Sequence, residues 1–183
     1  MHKFWFAGAA ALISMPVLAH DFWIQPNRFV LDAPGPVAVT MYVGHGQAKD
    51  RWGVSADHIL QFNAIGPKGL TSRLASLRMN GRAFDALVPL EQPGCHILAL
   101  QSKSALSQLP AVRFNDYVKT EGITPIASAR ARAGSENSEG REFYSRRAKT
   151  IVQVGPVDAA SIARATSPVR LKLEIVPGRH PQK

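Results

Sequence analysis

Short runs in which apolar and polar residues alternate, each closed by a turn cluster, dominate this chain and leave few architectures open to it. Val37-Ala-Val-Thr-Met-Tyr-Val43 is the clearest, bracketed by Asp32-Ala-Pro-Gly-Pro36 and by Gly44-His45-Gly46. Ile59–Ile65 ends at Gly66-Pro-Lys-Gly69, and a weaker run over Leu70–Leu77 precedes Asn80-Gly81, a hairpin dipeptide. Ala83–Leu90 and Cys95–Gln101 flank the turn Glu91-Gln-Pro-Gly94, and Phe22–Leu31 supplies extended pieces around Pro26-Asn27. Alternation returns over Arg147–Val154 and over Leu171-Lys-Leu-Glu-Ile-Val176, which reads as the last strand. Between the early strands the connections are too short for the crossover helix that a parallel pair requires. A mainly β protein follows, an antiparallel β-sandwich of immunoglobulin-like or prealbumin-like type.

One region breaks the pattern. Phe114, Tyr117 and Val118 fall at helical spacing with Gly122 as a stop, and Thr124-Pro125 places proline in the first turn of a second helix ending near Ala133. Two short helices are thus inserted before the last strands. Gly134–Gly140 is small and polar and reads as a loop, as does the stretch through Asp50-Arg51-Trp52-Gly53; Val157–Thr166 is Ala-rich and reads as a linker or a short helix. With 14 Gly and 13 Pro in 183 residues, the composition suits a turn-rich β domain.

The first nineteen residues have a different purpose. A basic start at Lys3, an apolar core over Phe4–Leu18, and small residues at Val17 and Ala19 make up a secretory signal peptide, too short to span a bilayer. The expected organisation is signal peptide 1–19, sandwich domain 20–177 and a short tail 178–183. The expected location is the periplasm. A formal net charge of +9 would suit a polyanionic partner, but export argues against nucleic acid and for a solvated face or an anionic envelope surface. A single cysteine, Cys95, excludes an internal disulfide framework and a Cys-rich zinc site; alone on a strand it reads as a small buried hydrophobe.

Cleavage after Ala19 has a chemical consequence. It makes His20 the terminal residue, with an α-amine of pKa about 7.7–8.0 beside an imidazole of about 6.5, and these two nitrogens can chelate one ion. Such donors suit Ni, Co, Cu and Zn better than Mg or Ca. His-Asp-Phe carries no histidine at its third position, so a further ligand must come from elsewhere in the fold. His45, between two glycines at a strand end, is the best partner. His58, at the start of a strand, is a weaker one. His96 reads as a packed or solvent-facing ring, and His180 as part of a frayed end. Asp21 and Asp50 are possible oxygen ligands or ring-orienting groups, and Trp23, Trp52 and Tyr144 read as core aromatics.

His20-Asp-Phe-Trp23, Val43-Gly-His-Gly46, Gln101-Ser102, Arg141-Glu-Phe-Tyr-Ser-Arg146, Val152-Gln-Val-Gly155 and Leu173-Glu-Ile-Val-Pro177 occur in that order. In this the chain resembles the exported DUF4198 family, described as periplasmic components of cobalt and nickel transport systems. The resemblance implies a β-sandwich, an envelope location and a role in binding Ni or Co for a membrane metal transporter. It also implies a second β-rich domain after Pro177, which this sequence does not show. Three functions compete: a metal-binding uptake accessory, a copper-holding brace with mono-oxygenase-like chemistry, and a structural envelope sandwich without metal. No Ser-His-Asp or paired-carboxylate pattern favours an enzyme.

Overall fold

The computed structural model describes residues 21–45, 48–81 and 83–182. The signal-peptide reading, and His20 with it, fall outside these residues. In chain order the strands are β1 (Asp21–Pro26), β2 (Val30–Leu31), β3 (Gly35–His45), β4 (Ala48–Arg51), β5 (Ile59–Gly66), β6 (Gly69–Ser72), β7 (Ala86–Leu90), β8 (Gly94–Ser102) and β9 (Ala105–Leu109). Helices α1 (Ala111–Thr120) and α2 (Thr124–Arg132) follow, then β10 (Gly140–Tyr144), β11 (Arg147–Val154) and a third helix, α3 (Ala159–Ala165). The Ala-rich stretch is thus a helix. The side chain of Asp158 caps it, accepting from the Ser161 amide at 2.7 Å.

Two compact units divide the chain, one over Leu109–Gly140 and the other over the strands on either side of it. The strand unit is a sandwich. In one sheet β3 is central: β1 runs antiparallel along one edge, and β7 and β4 share the other, β7 on the first half of β3 and β4 on the second. The other sheet has the order β2-β11-β8-β5-β6, antiparallel except for a two-residue parallel pairing of β2 with β11. Alternation explains the core. Ile24, Val37, Val39, Met41, Val88 and Leu90 from the first sheet meet Phe62, Leu98, Leu100, Val152 and Val154 from the second, all essentially inaccessible. A smaller cluster on the outer side of β8 sets Cys95 and Ile97 against Ala165 of α3, so Cys95 is the buried hydrophobe its setting suggested.

In the helical unit α1 buries Phe114 and Val118. The Arg130 guanidinium lies over the Phe114 ring at 4.9 Å and its Nε donates to Asn115 Oδ1 at 3.1 Å. A Cβ on Gly140 would stand 2.0 Å from that ring, which fixes glycine there.

The expectations fail in several places. Strands β9 and β10, which pair with each other, lie outside every expected strand, Leu74–Ser76 is a single helical turn within the run read as a weak strand, and Tyr144, read as a core aromatic, is exposed. Ala48–Arg51 is a strand rather than part of a loop; it is a short, largely exposed edge strand with no apolar alternation to betray it. Leu171–Val176 is not a strand. Its less exposed positions are Leu171, Glu174, Pro177 and His180, a repeat of three instead of two, while Leu173 and Ile175 stand 80% and 87% exposed. Glu174 turns inward to accept from the Val169 amide at 3.0 and 3.1 Å and to face the Lys149 ammonium at 3.6 Å. Those polar contacts override the apolar alternation.

Candidate metal site

His45 ends β3 and is exposed. Beside it β4 lies antiparallel to β3, with Gly44 paired to Lys49 and His45 to Ala48. A Cβ on Gly44 would stand 2.0 Å from the Ala48 carbonyl oxygen, so only glycine lets β4 approach at that point. On the other side of β3, Asp21 pairs with Gly44 and Phe22 with Val43. The residue that follows His20 in sequence therefore sits across from the residue that precedes His45. Asp50 pairs with Val43, and the side chains of Asp21 and Asp50 are exposed.

Around this end of the sheet the aromatics are ordered. Trp23 stacks on Tyr42 with ring centres 5.6 Å apart, and the Lys49 ammonium lies 4.8 Å from the Tyr42 ring centre. Phe22 meets Trp52 edge-on at 4.7 Å where both pack against the core. Tyr144 lies instead beside the Arg146 guanidinium at 5.5 Å.

His58 closes a single helical turn ahead of β5, in the opposite sheet, with 56% of its side chain exposed. Its Nδ1 lies 3.1 Å from Ser55 Oγ and 3.6 Å from Asp57 Oδ1. The Asp57 carboxyl is held below the usual carboxylate range, first by the Ser55 hydroxyl. His96 is not available as a ligand: it is 6% exposed, its Nε2 lies 2.8 Å from the Gln92 carbonyl, and burial lowers its pKa. His180, expected in a frayed end, is 1% exposed. Cys95 is enclosed, and burial pushes its thiol up to about 11. Among the described residues no group of three His, Cys, Asp or Glu is placed to hold an ion. Any site at His45 therefore needs donors beyond these residues.

Two interactions have no signal in the sequence. Asp85, buried at the edge between β7 and β4, accepts from the Met41 amide at 2.8 Å and pairs with Arg51. Lys149 and Glu174, far apart in the chain, meet beneath the terminal segment.

Two packed sheets define a mainly β scaffold whose exposed histidines, His45 and His58, stand at the ends of strands and not in its interior. The chain belongs to the DUF4198 family, a domain of unknown function, whose model matches residues 17–183. No curated protein and no solved structure matches it.

Proposed function

We propose that this protein is exported and binds a transition-metal ion, nickel or cobalt, as cargo for a membrane uptake system. His20, made terminal by removal of residues 1–19, supplies an amine and an imidazole; His45 supplies the third nitrogen. One observation carries this reading: Asp21 pairs with Gly44, which brings the start of β1 to the residue beside His45. The glycine-dependent approach of β4 to β3 supports it by fixing where the His45 backbone lies. Helices of spanning length and hydropathy are absent among the described residues. His58, on the opposite sheet, is a minor contributor at most in this scheme.

Calorimetric titration of the processed protein with Ni, Co, Cu and Zn ions tests the reading. Loss of one of three nitrogen donors weakens binding by about tenfold or more, roughly 1.4 kcal/mol per decade. His45→Ala and an alanine inserted before His20 are each expected to do this, and His58→Ala to do much less. Because amine and imidazole must lose protons to bind, affinity falls as the pH is lowered. Equal affinity in all three variants, or no binding, overturns the reading; selective copper binding with peroxide turnover would favour a copper brace.

A further inference from the structure

A second feature, independent of the metal reading, is a cleft of about 720 Å³ in the sandwich unit, bordered by β1, β11 and the terminal segment. Its walls are largely apolar: Phe22 and Trp23 of β1, Phe29, Ile151 of β11, and Leu171 and Leu173. The volume falls within the range of about 300–1,000 Å³ usual for small-molecule sites. Three charged side chains, Arg147, Lys149 and Glu174, also line it.

Those charges do not balance. Lys149 and Glu174 are 11% and 9% exposed, and the ammonium approaches Glu174 Oε2 only to 3.6 Å, beyond hydrogen-bond reach. Lys149 Nζ is fully buried without an acceptor, and so is Arg147 Nε. Glu174 accepts one shared bond from the Val169 amide across both its oxygens. Two cations, adjacent on one face of β11, thus share one carboxylate, with donor capacity unspent beside the cleft. Burying such donors unsatisfied costs on the order of 1–3 kcal/mol each, a cost that an anionic acceptor in the cleft would remove. The rim points the same way, since Leu173 and Ile175 keep 80% and 87% of their surface in solvent beside the opening.

We propose that this cleft binds a small apolar monocarboxylate. Its hydrocarbon part lies among Phe22, Trp23, Phe29 and Leu171, and its carboxylate takes the open donor positions of Lys149 and Arg147. One negative charge closes the local balance. An uncharged ligand leaves the donors unmet, and a cation meets like charge.

The test is displacement of a fluorescent dansyl-undecanoate probe from the full chain by dodecanoate, dodecan-1-ol and dodecyltrimethylammonium. Dodecanoate is expected to compete at least about tenfold better than dodecanol, since a hydrogen bond to a charged group is worth about that factor. Dodecyltrimethylammonium should compete worst. Lys149→Met should erase most of the dodecanoate advantage and leave dodecanol unchanged. Equal competition by dodecanoate and dodecanol on the unaltered protein overturns the proposal without recourse to any variant. So does failure of the probe to bind, or sedimentation as a dimer that excludes it, which would make a second copy the occupant.

Discussion

Asp85→Ala removes the group that joins two strands along one edge of β3. On that edge β7 ends with Ala86 opposite Val39, and β4 begins its pairing with Arg51 opposite Tyr42. Asp85 fills the interval: its amide donates to the Val39 carbonyl and its Oδ2 accepts from the Met41 amide, both at 2.8 Å, while Trp52 donates to the Met41 carbonyl. The carboxylate is 2% exposed and pairs with Arg51, which is 33% exposed and also reaches the Gly81 carbonyl. Leaving the Met41 amide unmet costs about 1–3 kcal/mol. Stranding a fully buried charge costs about 3–5 kcal/mol, but Arg51 is partly solvated and keeps the Gly81 carbonyl, so its share is nearer 1.

The expected loss for Asp85→Ala is therefore about 3 kcal/mol, a large part of the roughly 5–15 kcal/mol available to a domain. Asp85→Asn keeps an oxygen for the Met41 amide and should lose only about 1–2 kcal/mol. Urea unfolding followed by tryptophan fluorescence reads both, since Trp52 lies directly after β4. A change below about 0.5 kcal/mol for Asp85→Ala with an unaltered denaturant slope would refute the reasoning.

Gly44→Ala drives a methyl group into the backbone of Ala48 and Lys49, at 2.0 and 2.9 Å; a loss of about 1–3 kcal/mol in urea unfolding is expected, with weaker metal binding if His45 is a ligand. His96 gives the stability a pH dependence. Its pKa is lowered first by burial, so as pH falls through about 6.5 the unfolded chain takes up the proton before the folded one does. Stability present above that pH is then lost, at about 1.4 kcal/mol for each unit by which the folded pKa lies below the unfolded one. His96→Gln should flatten the urea midpoint between pH 7.5 and 5, and an unchanged slope would assign the effect elsewhere. Cys95, raised to about 11 under α3, should resist iodoacetamide at pH 8 until the protein is unfolded; rapid labelling of the native protein would contradict its enclosure.

Much of the fold was readable because burial on one face of a strand imposes a period of two. Val37–Val43, Ile59–Ile65 and Arg147–Val154 all show it and all are strands. The two inserted helices were readable from spacing and from Pro125. What escaped notice lacks such a signature. β4 has exposed charged residues because an edge strand needs only backbone partners. The terminal segment has the right alternation and the wrong structure, because Glu174 satisfies the Val169 amide and faces Lys149, 25 positions away in sequence; a local pattern contains no trace of such a partner. Of the candidate site, His45 and its flanking glycine were visible as a turn at a strand end. Its neighbours were not, since pairing register is a property of two strands together.

That register is itself dictated by the core. Phe22 and Ile24 pair with Val43 and Met41 on the side facing the second sheet, while Trp23 pairs with Tyr42 on the outer side, where their rings stack. A slip of one residue would turn Trp23 and Gln25 inward and expose Ile24. The apolar pattern thus rules out a one-residue slip of β1 on β3, and the alignment observed sets Asp21 against Gly44. The meeting of the chain's early residues with the His45 turn does not depend on a separately evolved binding loop. It follows from packing the sandwich, with Gly44 as the one position on β3 where the close approach of β4 adds a demand of its own.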